Sequence, residues 1–135
     1  MKNRIKPFKM MHKISEKKQR LKNSIKRIKN AFVYSYDGFV SILKSEASFR
    51  QEMLLFVVLM PMVFILDISN TQRALLLFSL WFILFAEGVN TAVEVCIDRI
   101  SKEQHPLSKK AKDIGSLTVL LAFINAICIW TFVLL

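Results

Sequence analysis

Residues 74–99 read ALLLFSLWFILFAEGVNTAVEVCIDR, and the contrast between the halves of this run decides the fold. Ala74 to Ala86 is apolar almost throughout, and its continuation supplies the roughly 20 residues that cross a bilayer core. Glu87, Asn90, Glu94 and Asp98 interrupt that continuation. They are spaced by three or four residues, so with Thr91 they form one stripe on one helix. Glu87 and Glu94 stand two turns apart, about 10 Å along the axis. A carboxylate near the membrane centre costs about 2.5–3.5 kcal/mol on insertion scales. Acids placed there must face protein, water or a cation.

Working outward, Met53 to Leu66 reads MLLFVVLMPMVFIL, extended by Phe49 before it and Ile68 after it. Pro61 inside it implies a kink, or a freed carbonyl satisfied by a neighbour. Gly115 to Leu135 carries no charge. Three Gly and three Pro leave few turns, which disfavours an all-β fold. The soluble alternative, three buried helices of a small bundle, is disfavoured because 135 residues cannot cover three helices that are apolar on every side. The expected fold is an all-α membrane protein: a surface helix over 21–44 and spans at about 48–68, 73–99 and 113–135.

Charge is divided as sharply as hydropathy. The chain is 53% hydrophobic yet carries a formal net charge of +10. Residues 1–30 hold 12 Lys/Arg against the single acid Glu16, and residues 31–135 hold 8 against 9 acids. The basic character therefore belongs to an N-terminal arm, not to a nucleic-acid-reading domain, and no nucleic-acid partner is expected. The connection from Arg99 to Lys112 has five basic residues and the one from Asp67 to Arg73 has one. By the positive-inside tendency the N-terminus is cytoplasmic and the C-terminus ends on the periplasmic side, with no domain beyond it.

No apolar region follows the basic start closely enough for a signal peptide. Residues 1–20 are expected to be a disordered polybasic extension. Leu21, Ile25, Ile28, Phe32, Phe39 and Ile42 then repeat at helical spacing, broken only by Ser35. This stripe predicts a helix lying on the inner membrane surface, with Gly38 marking a bend. A coiled-coil seam has the same spacing but would run for only three heptads here. Cys96 and Cys128 sit in apolar stretches and make no CxxC pair, so disulfide and zinc readings have no support.

A second acidic group precedes the first span, in Ser45-Glu46-Ala47-Ser48-Phe49-Arg50-Gln51-Glu52. Lys112 and Asp113 open the third. Three segments thus bring polar groups to one membrane level, which suggests an active site at the inner leaflet. The Glu87–Asp98 stripe suits an ion path, a divalent metal site with phosphate as co-ligand, or ion pairing with Arg50 or Lys112. Neither GxxxxGK[ST] nor GxGxxG is present, and no Ser-His-Asp set exists. His12 lies in the arm, and His105 reads on these grounds as a polar loop residue.

Three ordered motifs resemble the prokaryotic diacylglycerol kinase family. Glu87-Gly-Val-Asn90-Thr-Ala-Val-Glu94-Val-Cys-Ile-Asp98 is similar to its E-x-x-N-[ST]-A-x-E-x-x-x-D run. Ala111-Lys112-Asp113, preceded by Glu103-Gln104-His105, is similar to its A-K-D motif and the loop before it. Glu46-Ala-Ser48-Phe49-Arg50-Gln51-Glu52 is similar to its E-A-x-F-R-Q-E segment. The resemblance covers roughly residues 25–135. It implies a homotrimeric lipid kinase of the bacterial inner membrane, with sites between protomers, that transfers phosphoryl from ATP to diacylglycerol.

The resemblance also implies roles. Glu87 would be the general base, and Glu46 and Glu94 would hold Mg²⁺ on the nucleotide. Arg27, Tyr34, Glu103, Gln104, His105, Lys112 and Asp113 would contact ATP. Ser48, Phe49, Arg50, Gln51, Glu52, Arg73, Ser116 and Trp130 would line the lipid side, with Asn90 and Asp98 supporting the stripe. Asn30 stands where the family often has a lysine, and the arm is longer than usual. A related branch phosphorylates undecaprenol, an alternative substrate. A non-enzymatic proton or cation pathway is the alternative of another class.

Overall fold

The structure, a computed structural model, describes the backbone of residues 5–101 and 103–135 and the side chains of residues 16–101 and 103–135. It contains four helices and, among the described residues, no strand: α1 (Ile5–Ser45), α2 (Ala47–Ile65), α3 (Asn70–Ile100) and α4 (Pro106–Leu134). The chain divides into two units, Met1–Ser41 and Ile42–Leu135.

Helix α1 starts far earlier than expected. The extension expected to be disordered over 1–20 is helical from Ile5 onward, while residues 1–4 lie outside the described residues. Lys, Arg, Gln and Met are good helix formers, and Pro7 falls in the first described turn. Gly38 does not end the helix, which continues to Ser45.

Helices α2, α3 and α4, of 19, 31 and 29 residues, are each long and apolar enough to cross a membrane. The first span ends at Ile65, short of the expected 68, and its helix continues through Pro61. A capping box at Ser69 and Gln72 then starts α3. The third helix begins at Pro106, well before the expected 113. There, Pro106 occupies the first turn, and His105 Nδ1 accepts the Leu107 N–H at 3.2 Å. His105 is therefore a helix cap as well as a loop residue.

Helix α3 is central, packing against α2 and α4. Along α2 the antiparallel register is marked by Ser48 against Glu87, the edge-to-face rings of Phe56 and Trp81 at 4.7 Å, and Arg73 against Val63. Along α4 it is marked by Asp98 with Lys112, Asn90 with Gly115, and Ser79 with Trp130. Two apolar clusters hold these contacts. Phe49, Phe56, Leu80 and Leu84 join α2 to α3, with Trp130 packed on them. Ile83, Ala86, Ala122 and Ala126 join α3 to α4, where small side chains let the backbones approach.

Candidate active site

The acidic stripe of α3 is graded in depth. Glu87 and Asn90 are buried, Glu94 is half-buried and Asp98 is exposed. Each level has its own partner. The Ser48 hydroxyl, at the start of α2, donates to Glu87 Oε1. One turn further along α2, Glu52 is also buried, close enough to Glu87 for the two like charges to interact. Glu52 Oε2 has no hydrogen-bond partner among the described residues. Asn90 Nδ2 donates to Glu94 Oε1 at 3.2 Å and orients that carboxylate. Asp98 pairs with Lys112 Nζ of α4 at 2.5 Å.

The inner end of the stripe is fitted tightly against α4. A Cβ on Gly115 would run into the Asn90 side chain. Glycine at 115 therefore lets Asn90 lie between the helices while its amide holds Glu94. The outer end opens into a cleft of about 650 Å³ between the end of α3 and the start of α4. Its walls include Asp98, Glu103, Gln104, His105, Lys112 and Asp113. Lys109 Nζ pairs with Asp113 Oδ2 at 2.6 Å along the α4 surface.

Thus one cleft collects five of the expected ATP contacts, and one buried cluster collects Ser48, Glu52 and Glu87. Other expected residues have different surroundings. The Arg50 guanidinium donates to the Leu43 and Lys44 carbonyls at the end of α1, so the expected pairing with a stripe acid is not seen. The ion pairing expected as an alternative for Lys112 is present, with Asp98. Phe49 is buried in the α2–α3 core, Gln51 is exposed, and Ser116 donates to the Lys112 carbonyl. Arg27 and Tyr34 are exposed on α1.

Arg73 is not brought to this site. It lies 14 residues before Glu87 on α3, about 21 Å along the axis. There its guanidinium donates to the Val63 and Leu66 carbonyls and to Asn70, fastening the end of α2 to the start of α3. Trp130 lies deeper than the cleft, and its indole N–H donates to Ser79 Oγ at 3.1 Å. Ser79 is fully buried and donates in turn to the Leu76 carbonyl. No motif marks Ser79; its one signal in the sequence is a lone hydroxyl in an otherwise apolar run.

A carboxylate oriented as Glu94 is suits a cation bound together with a phosphate ligand. Among the described residues no three His, Cys, Asp or Glu side chains form a self-sufficient cage. Mg²⁺ needs none, since it keeps waters and takes one or two carboxylates plus substrate phosphates. Glu46 occupies the N-cap position of α2, but its side chain makes no capping bond. Glu94 is pre-oriented by Asn90.

The family model described as prokaryotic diacylglycerol kinase matches residues 33–134. This chain belongs to the prokaryotic diacylglycerol kinase family. The chain is 45% identical over 111 residues to a diacylglycerol kinase of Pseudomonas aeruginosa, covering 82% of this chain and 90% of that protein. It is 38% identical over 108 residues to a diacylglycerol kinase of Escherichia coli K12, covering 80% and 88%. With one from Helicobacter pylori strain 26695 it shares 32% over 105 residues, covering 78% and 82%. The chain is thus a lipid kinase, and its three long apolar helices make it a membrane protein. The buried carboxylate cluster, the Glu94 level and the cleft all fall within the residues that the family model matches.

Proposed function

We propose that this kinase transfers the γ-phosphoryl group of ATP to the hydroxyl of diacylglycerol, giving phosphatidate and ADP. The reaction runs at the cytoplasmic face of the bacterial inner membrane, with the N-terminus cytoplasmic and the C-terminus periplasmic. The observation that carries the proposal is the buried Glu87, hydrogen-bonded to Ser48 on the same polar stripe that leads outward to the cleft.

Phosphoryl transfer asks a protein mainly for positioning and charge neutralisation. Lys112, Asp113, Glu103, Gln104 and His105 hold the nucleotide in the cleft, aided by Arg27 and Tyr34. Glu46 and Glu94 would hold Mg²⁺ together with the nucleotide phosphates, and the ion would supply neutralisation of developing charge. Glu87 takes the proton of the lipid hydroxyl as its oxygen bonds to the γ-phosphorus, while the bond to the ADP oxygen breaks. Ser48 fixes the carboxylate that takes the proton. Gln51, Glu52, Ser116 and Trp130 line the lipid side, Phe49 and Arg50 support that wall, and Asp98 positions Lys112. Three copies associate, with sites between neighbours.

Assaying the solubilised protein with labelled ATP, side by side on diacylglycerol and undecaprenol, tests this reading. Labelled phosphatidate that EDTA abolishes is the expected product. Preference for undecaprenol would replace the substrate, and ATP-independent ion flux without kinase activity would replace the reaction. Cross-linking in native membranes that stops at three copies is expected; a dimer would remove the trimer.

A further inference from the structure

The cleft between the end of α3 and the start of α4 holds a cation that the proposed reaction does not use. Among the described residues its walls carry the acids Asp98, Glu103 and Asp113 against two lysines, Lys109 and Lys112. Lys112 alone would face three carboxylates, a poor setting for a polyphosphate. Lys109 is the second cation, and no motif marks it. Each lysine is held by one acid: Lys112 Nζ by Asp98 at 2.5 Å, and Lys109 Nζ by Asp113 at 2.6 Å. The two pairs differ in their surroundings. Lys112 bridges to α3 and is near enough to Glu94 for their charges to interact. Lys109 and Asp113 stand on one helix at i and i+4, with side chains 78% and 61% exposed. Such a pair is worth little in water, so a stronger anion takes the lysine from it at small cost. Lys109 precedes Lys112 by three residues, on the same face of α4 and about 4.5 Å further out along the axis. The first turn of α4 carries no acid, so the positive end of its dipole adds to the two lysines.

We propose that Lys109 exchanges Asp113 for the α- and β-phosphates of the bound nucleotide, and so holds ADP as firmly as ATP. The assignment rests on the kinase reading and on the order of charges along the cleft. Lys112 pairs with the stripe that leads to Glu87, which sets it toward the reacting γ-phosphoryl group. Lys109, one step further out, meets the phosphates that remain after transfer. Its bond therefore survives the reaction and opposes release of ADP.

The test is acylation of the full chain in detergent with a water-soluble amine reagent, with the reactivity of each lysine mapped by mass spectrometry. ADP is expected to slow acylation of Lys109 about fivefold or more, and adenosine is expected to leave it unchanged. Lys110, which lies outside the cleft, should react at one rate throughout. Lys112 in the same digest reports whether nucleotide has entered. A Lys109 as reactive with ADP as without it would overturn the proposal, as would equal protection by adenosine. Protection of Lys112 in that sample leaves the kinase reading standing; its absence, together with absent ATP turnover, removes that reading too. The kinetic counterpart is Lys109→Gln. It should raise KM for ATP and the inhibition constant for ADP by the same factor, about fivefold to tenfold, and Lys109→Arg should restore most of both. Lys110→Gln should move neither. A rise for ATP alone would put Lys109 on the γ-phosphoryl group and overturn its assignment.

Discussion

The two halves of α3 share one helix and opposite environments. From Leu76 to Ala86 the buried side chains are apolar apart from Ser79, and they pack on α2 and α4. From Glu87 to Asp98 the same helix carries acids and an amide, each tied to a different neighbour. The first half positions the second. Because α3 is clamped along its apolar half, Glu87 meets Ser48 and Asn90 meets Gly115 without loops to set their geometry. A site built on helices is held more precisely than one built on loops.

This division can be broken from either side. The largest stability effect belongs to the apolar half. Leu80→Ala removes a buried contact shared by α2 and α3 and should cost about 2 kcal/mol or more. The midpoint of SDS-induced unfolding would register this, while turnover per folded molecule should change little. At the boundary, Gly115→Ala forces a Cβ into Asn90 and should cost about 1–3 kcal/mol. Unlike Leu80→Ala, it should also raise the Mg²⁺ concentration needed for half-maximal activity, because Asn90 holds Glu94, the proposed ligand; a titration of activity against Mg²⁺ separates the two variants.

Within the polar half, Ser48→Ala removes a hydrogen bond to a charged group and should lower kcat about tenfold. An unchanged KM for ATP would separate that loss from damage to the cleft. The smallest effect is expected from Asp98→Asn. Its pair with Lys112 is solvent-exposed, so KM for ATP should rise less than about fivefold with kcat and stability unchanged.

The spans were legible because three apolar runs leave no soluble alternative, and the stripe was legible because four polar residues recur at helical spacing. Its partners were not. Which residue of α2 meets Glu87 depends on the register between two helices, and no local spacing encodes that register. The same holds for Ser79 and Trp130, joined across 51 positions. Helix α4 was expected to begin late because residues 106–112 are polar, yet Pro106 and the His105 cap start it earlier. Charge alone points to disorder over the extension, although strong helix formers dominate its composition. Arg73, which the resemblance gives to the lipid side, also fastens the connection between α2 and α3, a contact no local spacing encodes.

The proposed reaction turns on the buried carboxylate at 87 taking the proton of the lipid hydroxyl. The most direct test is the initial rate of phosphatidate formation from diacylglycerol by the wild type and by Glu87→Gln, with SDS-unfolding midpoints measured in parallel. A rate loss of about 10² to 10⁴ with an essentially unchanged midpoint is expected. A Glu87→Gln variant that folds normally and phosphorylates diacylglycerol at the wild-type rate would contradict it.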